Sequence, residues 1–284
     1  GQAVAELTTV EDVDGLYNVK LTIDGQLVDG YVTKNGNLFF PQAINLNDEI
    51  TDSAPTQATT PEVVKSDKPK VELFVMSHCP YGTQAEKGIL PVVDELGDKI
   101  DFELKFVYYA MHGELEINEQ SKQVCIQREY PKEFNDYLKC FLEVGDAGAS
   151  KCMSGLGIKA DVVADCEAEL DADFGITAAL EDQSSWLSGR FPLFNVHKTE
   201  NELYQVGGSP TLIINGQQVS SGRAPAQYLT TICAAFNDAP EECEAELNTQ
   251  SYGPGFGYDE VGSDVAAACG VWFIYCFVLI FSCF

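Results

Sequence analysis

The residues most suited to chemistry in this 284-residue chain lie at 78–82, which read His-Cys-Pro-Tyr-Gly. The run Val71–Met76 before them is apolar, and Gln84–Leu96 after them shows helical spacing, so the pattern predicts a strand, a tight turn and a helix. Cys79 falls at the start of that helix, where the dipole and the N–H groups favour a thiolate, the nucleophilic form of cysteine. Pro80 suits the first helical position because its missing N–H would have no partner there. Cys79 is therefore the candidate nucleophile.

His78, Pro80, Tyr81 and Gly82 are the residues expected to support this sulfur. An imidazolium at His78 would lower the pKa of Cys79, although a turn residue with a partly solvated ring is the alternative. Tyr81 lies inside the turn and should be partly exposed near a substrate. For Cys79 itself the alternative is a buried structural thiol, because cysteines outside disulfides are often simply buried.

The domain that carries Cys79 should span 69–247. A second apolar strand is predicted within Phe102–Ala110, and a helical pattern then runs from about 114 to 190. It is interrupted near three residues: Pro131, Gly145 and Gly157. A strand pair beginning at Thr211–Ile214 and a helix at Pro225–Phe236 complete the order βαβ, helices, ββα. The fold class is therefore α/β with an all-helical insertion.

The flanking segments differ in character. Residues 1–50 hold alternating runs between Gly15 and Phe40 with two turn signals, which predicts a small β-rich module of antiparallel hairpins. Residues 51–68 are rich in Thr, Ser, Pro and Ala and read as a flexible linker. Residues 248–264 are Gly-rich and expected to be loose, whereas 265–284 contain no charge and are long enough for a membrane anchor. No Lys or Arg follows Arg223, so the basic flank of an anchor is missing, and a degraded reading frame or a fragment end is the alternative.

Composition bounds the class of protein. With 17 basic and 44 acidic residues the formal charge is −27, which repels nucleic-acid phosphates, so nucleic-acid binding is not expected. Ten cysteines are many for a cytosolic enzyme and indicate an oxidising, extracytoplasmic location, whether secreted, periplasmic or at the cell surface. Because no two of them form a C-x-x-C knuckle, we expect no metal. No nucleotide or flavin motif occurs, and no cofactor is expected.

Six cysteines are candidates for structural disulfides. Four of them fall on the helical insertion and allow three pairings; we favour Cys140 with Cys152 and Cys125 with Cys166, which nest across a helical hairpin. Cys233 and Cys243 would staple the last helix to the segment that follows.

Two motifs together resemble the thioredoxin superfamily. They are Phe-Val-Met-Ser-His-Cys-Pro-Tyr-Gly at 74–82 and Gly-Ser-Pro-Thr-Leu-Ile-Ile-Asn at 208–215, and the branch with a helical insertion fits best. The resemblance implies that Pro210 is a cis-proline packed opposite Cys79. It also implies that Ser209, Pro210 and Thr211 bind an extended disulfide- or thiol-containing protein substrate. The substrate and the thiol redox partner are left open.

Two narrower resemblances are partial. Residues 112–125 resemble the signature of gamma-interferon-inducible lysosomal thiol reductases at His112, Gly113, Glu116 and Cys125, but four fixed positions differ: Ala110, Met111, Ile117 and Gln120. The N-terminal module is similar to the β domain of bacterial periplasmic disulfide isomerases, which implies a homodimer through that module.

The sequence departs from the superfamily pattern at Gly82, where most members carry a second cysteine that resolves the mixed disulfide. A lone Cys79 suits isomerisation, and net oxidation or reduction needs an external small thiol or another cysteine such as Cys125. A glutathione-linked enzyme would further need an anion site near Cys79, and Lys87 is the nearest cation in sequence. The leading function is a thiol-disulfide oxidoreductase or isomerase that acts on protein disulfides; the alternative is a non-enzymatic binding module or redox chaperone.

Overall fold

A computed structural model describes residues 5–13, 15–23, 26–37, 39–40 and 63–258. The chain divides into two compact units, 1–60 and 61–284. Most of the predicted linker and the whole apolar segment 265–284 lie outside the described residues. Among the described helices none is both long and apolar enough to cross a membrane.

The first unit is a four-stranded antiparallel sheet in the order β1-β2-β3-β4. Its strands are β1 Ala5–Val13, β2 Leu16–Ile23, β3 Gln26–Thr33 and β4 Phe39–Phe40. The hairpins predicted between Gly15 and Phe40 are present. The strand β1 was not predicted, because its acidic residues are poor strand formers and mask its alternation.

The second unit is built on a mixed sheet in the order β6-β5-β7-β8. Its strands are β5 Lys70–Val75, β6 Asp101–Phe106, β7 Thr211–Ile214 and β8 Gln217–Val219. Strands β5 and β6 pair parallel through the crossover helix α1 (Pro80–Leu96), whereas β7 runs antiparallel to both neighbours. With α8 (Pro225–Cys233) closing the order, the expected thioredoxin-like fold is confirmed.

The insertion between β6 and β7 is helical, as predicted. Within the predicted range of about 114 to 190 lie five α-helices: α2 Glu114–Glu129, α3 Phe134–Val144, α4 Asp146–Gly155, α5 Ala160–Phe174 and α6 Ile176–Glu181. The breaks between α2, α3, α4 and α5 fall at the predicted proline and glycines. Disulfides join Cys125 to Cys166, Cys140 to Cys152 and Cys233 to Cys243, which are the pairings that the sequence favours.

One short helix, α7 (Lys198–Leu203), has no counterpart in the predicted elements. Two side chains, one on α7 and one just before it, form hydrogen bonds with the edge strand β6. The Phe106 N–H donates to Nδ1 of His197 at 3.1 Å, and Nδ2 of Asn201 donates to the Phe106 carbonyl at 2.9 Å. These side chains satisfy backbone groups at the edge of the sheet. Such pairing depends on tertiary position, which the polar sequence of α7 does not reveal.

Alternation along β5 divides the buried residues between two clusters. Val71, Leu73 and Val75 belong to the large core shared with α1 and the helical insertion. Phe74 and the following Met76 belong to a smaller cluster that also contains Cys79. The candidate sulfur is therefore packed against the end of β5.

Candidate functional site

Cys79 is the N-cap residue of α1, with Pro80 in the first turn. Its N–H donates to the Met76 carbonyl at 3.0 Å, and its carbonyl accepts the first helical hydrogen bond from Thr83 at 2.9 Å. The positive end of the helix dipole therefore lies near the sulfur, and the first turn of α1 contains no acidic residue that would offset it. The side chain is a thiol and is fully buried.

The opposite wall is formed by Ser209 and Pro210, which are joined by a cis peptide bond. The Cys79 Sγ lies 3.7 Å from the Ser209 carbonyl oxygen, and the Ser209 hydroxyl oxygen accepts the Met76 N–H at 2.9 Å. Thr211 begins β7 and donates its hydroxyl to the Gly208 carbonyl at 2.8 Å. The three residues predicted to bind substrate therefore lie together beside Cys79.

Gly82 occupies a position without room for a side chain. A Cβ there would lie 2.6 Å from Ser209 Oγ, 2.8 Å from the Met76 carbonyl oxygen and 3.3 Å from Cys79 Cβ. The middle contact is with backbone at the end of β5, which cannot move aside cheaply. A second cysteine at this position would require the turn to rearrange.

Glu116 connects α2 to the turn that holds Cys79. Its buried carboxylate accepts the backbone N–H of His78 at 3.1 Å and that of His112 at 3.1 Å, and Oε1 also lies 3.0 Å from His112 Nδ1. The pKa of His112 is raised, chiefly by this hydrogen bond to Glu116. Burial lowers the pKa by a smaller amount, and the negative charge of Cys79 raises it. His112 and Glu116, known from a partial sequence resemblance, thus lie at the candidate site.

His78 is fixed on both sides of its ring. Nε2 lies 3.0 Å from an Asp146 carboxylate oxygen, and Nδ1 lies 3.0 Å from the Ser77 hydroxyl. The ring also packs edge-on against Phe256 with centroids 5.8 Å apart. The side chain is 11% exposed and lies in a turn, so the structure is compatible with the alternative of a turn residue with a partly solvated ring.

A buried carboxyl group lies behind the thiol. Glu86, on α1, is 1% exposed, and its oxygens have no hydrogen-bond partner among the described residues. Burial raises the pKa of Glu86 well above its usual range, and the charges of Cys79 and Glu119 raise it further. Because Glu86 is then neutral, it places no negative charge near Cys79 that would disfavour the thiolate.

A C-terminal segment, residues 252–258, covers one side of α1; we call it the strap. The Lys87 ammonium donates to the carbonyls of Gly253, Gly255 and Gly257 at 2.6, 2.8 and 2.5 Å, and the Gly255 N–H donates to the Pro80 carbonyl at 3.0 Å. The expectation of a loose 248–264 segment is therefore wrong for its described part. Lys87 is engaged by the strap and cannot serve as the anion site considered from sequence.

Arg223 is the functional candidate that sequence reasoning missed. Its guanidinium lies 4.9 Å from the Tyr81 ring centroid, and Nη1 donates to Gln84 Oε1 at 3.0 Å. It lines a cavity of about 330 Å³ together with Tyr81, Gly207, Gly208, Ser209, Pro210, Thr211 and Gln218. No local sequence signal marks it, because the residue is 144 positions from Cys79 and only the fold brings it here.

Cys125, considered as a resolving thiol, is not available for that role in this structure. It is fully buried and bonded to Cys166. The described cysteines other than Cys79 are all paired, and no cluster of three His, Cys, Asp or Glu side chains in the described parts could hold a metal.

Comparisons with known proteins found similarity at the level of structure. No family model and no curated protein matches the sequence. A structure of DsbA from Mycobacterium tuberculosis is 15% identical with a TM-score of 0.45, covering 64% of this chain and 94% of that one. The disulfide bond oxidoreductase DsbG from the same organism is 16% identical with a TM-score of 0.44, covering 66% and 89%. BdbD from Bacillus subtilis is 16% identical with a TM-score of 0.41, covering 65% and 93%. Identities of this size say nothing about activity, so the function rests on the site itself.

Proposed function

We propose that this protein is a thiol-disulfide exchange enzyme acting on protein disulfides, with Cys79 as its nucleophile. The observation that carries the proposal is the position of the Cys79 sulfur, at the N-terminus of α1 and 3.7 Å from the Ser209 carbonyl. The helix start supports the thiolate. The wall of Ser209, Pro210 and Thr211 supplies the surface along which an extended substrate would lie.

The proposed chemistry begins when the Cys79 thiolate attacks one sulfur of a substrate disulfide. A Cys79–substrate disulfide forms, and the other substrate sulfur leaves as a thiolate. If a different thiolate of the same substrate attacks the substrate sulfur in the mixed disulfide, Cys79 is released and the substrate disulfides are rearranged; return of the original thiolate only restores the starting disulfide. The crowded position of Gly82 favours this isomerase direction, because it provides no adjacent resolving sulfur.

His112 and Glu116 are proposed to support the thiolate. The raised pKa of His112 extends the pH range over which its ring is positively charged, and that charge favours the thiolate of Cys79. Glu116 holds both His112 and the backbone of His78, so it positions the turn as well as the charge. His78 is proposed to act through position, since its ring is held by Asp146 and Ser77.

Location and partners follow from the same chemistry. Three disulfides within the second unit support an extracytoplasmic protein, because such bonds persist in oxidising compartments. The proposed partners are disulfide- or thiol-containing proteins and a thiol redox partner. A homodimer through the N-terminal module and a membrane anchor at 265–284 also stay proposals.

The second candidate is a binding module or redox chaperone without turnover. The observation that favours it is the complete burial of the Cys79 side chain, because a nucleophile must be reached by its substrate. Such a protein would bind unfolded chains along the Ser209–Thr211 wall and leave their disulfides unchanged.

Refolding of a protein with scrambled disulfides separates the two candidates. The wild type should restore native pairing in a redox buffer, and Cys79→Ser should lose that activity while keeping its circular dichroism spectrum. Cys276→Ser, in the apolar tail, serves as the matched control and should retain activity. A wild type that restores native pairing no faster than the redox buffer alone would contradict the enzyme and leave the binding module; equal, real activity in the wild type and Cys79→Ser would contradict Cys79 as the nucleophile.

A further inference from the structure

The cavity beside Cys79 has one charged lining residue, Arg223. The other residues that line it are neutral: Tyr81, Gly207, Gly208, Ser209, Pro210, Thr211 and Gln218. A second cavity of about 190 Å³ continues from it and shares Pro210, Thr211, Gln218 and Arg223, again with no acidic lining residue. In a chain with 44 acidic and 17 basic residues, this lining is locally positive and suits an anionic ligand group.

Arg223 is held in a defined orientation. The Tyr81 ring face lies beneath the guanidinium, and Gln84 accepts from Nη1; Gln84 is fixed in turn because its Nε2 donates to the Tyr252 carbonyl at 2.6 Å. Among the described residues Arg223 forms no ion pair. A guanidinium has five N–H donors in a planar fork that matches a carboxylate, so donors remain for a ligand in the cavity.

The cavity and the reacting sulfur adjoin the same residue, Ser209, although Cys79 itself does not line the cavity. Ser209 lines the cavity, and its carbonyl oxygen lies 3.7 Å from Cys79 Sγ. A molecule joined to Cys79 by a disulfide could therefore place its carboxylate at Arg223. The volume of about 330 Å³ lies at the small-molecule end of ligand sites, which typically measure about 300–1,000 Å³.

We propose that this cavity binds the carboxylate of a small thiol, of the class to which glutathione belongs, during thiol exchange at Cys79. The inference rests on the proposed function and names its small-molecule partner. Cys79 attacks a mixed disulfide, protein–S–S–R, at the sulfur of R; the protein thiolate leaves, and Cys79–S–S–R forms with the carboxylate of R on Arg223. A second RSH, as its thiolate, attacks the sulfur of R; RSSR forms and the Cys79 thiolate leaves. Two disulfide bonds break and two form, and the sum is protein–S–S–R plus RSH giving protein–SH plus RSSR.

The test compares two substrates with the full chain. One is a cysteinyl peptide in mixed disulfide with glutathione, and the other is the same peptide in mixed disulfide with uncharged 2-mercaptoethanol. Arg223→Met should slow the reaction with the first substrate about tenfold, because one charge-assisted carboxylate contact is lost, and leave the second unchanged. Arg223→Lys should recover part of the rate. Arg190→Met, which removes an arginine outside both cavities, should react like the wild type.

Binding of S-methylglutathione, whose sulfur cannot exchange, tests the site without the reaction. We expect NMR shifts at Tyr81 and Thr211 in the wild type and their loss in Arg223→Met. Absence of binding in the wild type, or an equal loss of rate on both peptides in Arg223→Met, would overturn the inference. Binding without exchange on either peptide would support the site and contradict the proposed function, so the two failures are distinguishable.

Discussion

At the scale of single residues, the site is defined by close packing around one thiol. Cys79 contacts the Ser209 carbonyl, and Gly82 leaves space that Ser209 and Met76 fill. The glycine is therefore a packing requirement of this turn as well as the absence of a second cysteine. If the glycine is required for packing, any side chain at position 82 should destabilise the turn.

Gly82→Ala should destabilise the protein by about 1–3 kcal/mol, since the new methyl group overpacks a rigid backbone. Gly155→Ala is the matched control, because a Cβ at this other helical glycine meets nothing within 4 Å, and it should be neutral or stabilising by up to about 1 kcal/mol. Urea unfolding of both variants provides the comparison. Equal stability of the two would show that the turn accepts a side chain.

Glu86→Gln tests the buried carboxyl group through pH. The pKa of Glu86 is raised in the folded protein, so its stabilising contribution is present below the unfolded value of 4.5 and is lost as pH rises through the folded pKa. The glutamine cannot ionise, and the variant should therefore gain stability relative to wild type at pH 7 compared with pH 4. Denaturant unfolding at the two pH values measures this gain.

The matched control for that experiment is Glu95→Gln, on the exposed side of the same helix. It measures the pH dependence that comes from removing one exposed negative charge of this acidic chain, and the gain of Glu86→Gln should exceed it. A Glu86→Gln gain that does not grow with pH would mean that Glu86 is solvated in the folded protein.

At the scale of elements, sequence periodicity predicted the strands and helices whose buried residues recur at regular spacing. It predicted the strand before Cys79, the helix after it and the helical insertion, whereas the expectation that the two motifs face each other came from the resemblance to the thioredoxin superfamily. It missed α7 and the strap, because both are held by backbone carbonyls and polar side chains rather than by an apolar stripe. Arg223 was missed for a related reason: only the antiparallel return of β7 and β8 brings it beside Tyr81.

Lys87→Met should release the strap from α1. Three carbonyls lose a charged donor, and each such hydrogen bond contributes about 1.5–3 kcal/mol, so local opening should increase about tenfold or more. Because the strap donates to the Pro80 carbonyl and packs Phe256 against His78, iodoacetamide should alkylate Cys79 faster in this variant.

The control for the strap is Lys139→Met, which removes only surface ion pairs to Asp94 and Asp136. Its alkylation rate should equal that of the wild type. If Lys87→Met also leaves the rate unchanged, the strap does not limit access to the thiol.

At the scale of the whole molecule, the dominant feature is a formal charge of −27. Repulsion among like charges opposes the compact state, and salt screens it. The chain is therefore expected to be more stable at high ionic strength, independently of its chemistry.

Raising sodium chloride from about 0.05 to 1 M, where the Debye length falls to about 3 Å, should raise the thermal midpoint. A gain of about 1 kcal/mol corresponds to roughly 2–4 °C for a domain of 150–250 residues. Potassium chloride should act equally, because screening does not depend on which monovalent cation is present. A midpoint that stays constant or falls with salt would show that charge repulsion contributes little.

The central claim is that Cys79 forms a covalent disulfide with its substrate. The most direct measurement is mass spectrometry of the full chain after incubation with a disulfide-containing peptide and acid quenching, followed by mapping of the modified cysteine. We expect a peptide adduct on Cys79 in the wild type and no adduct at that position in Cys79→Ser. A wild-type protein that stays unmodified, or that is modified only at cysteines other than Cys79, would contradict it.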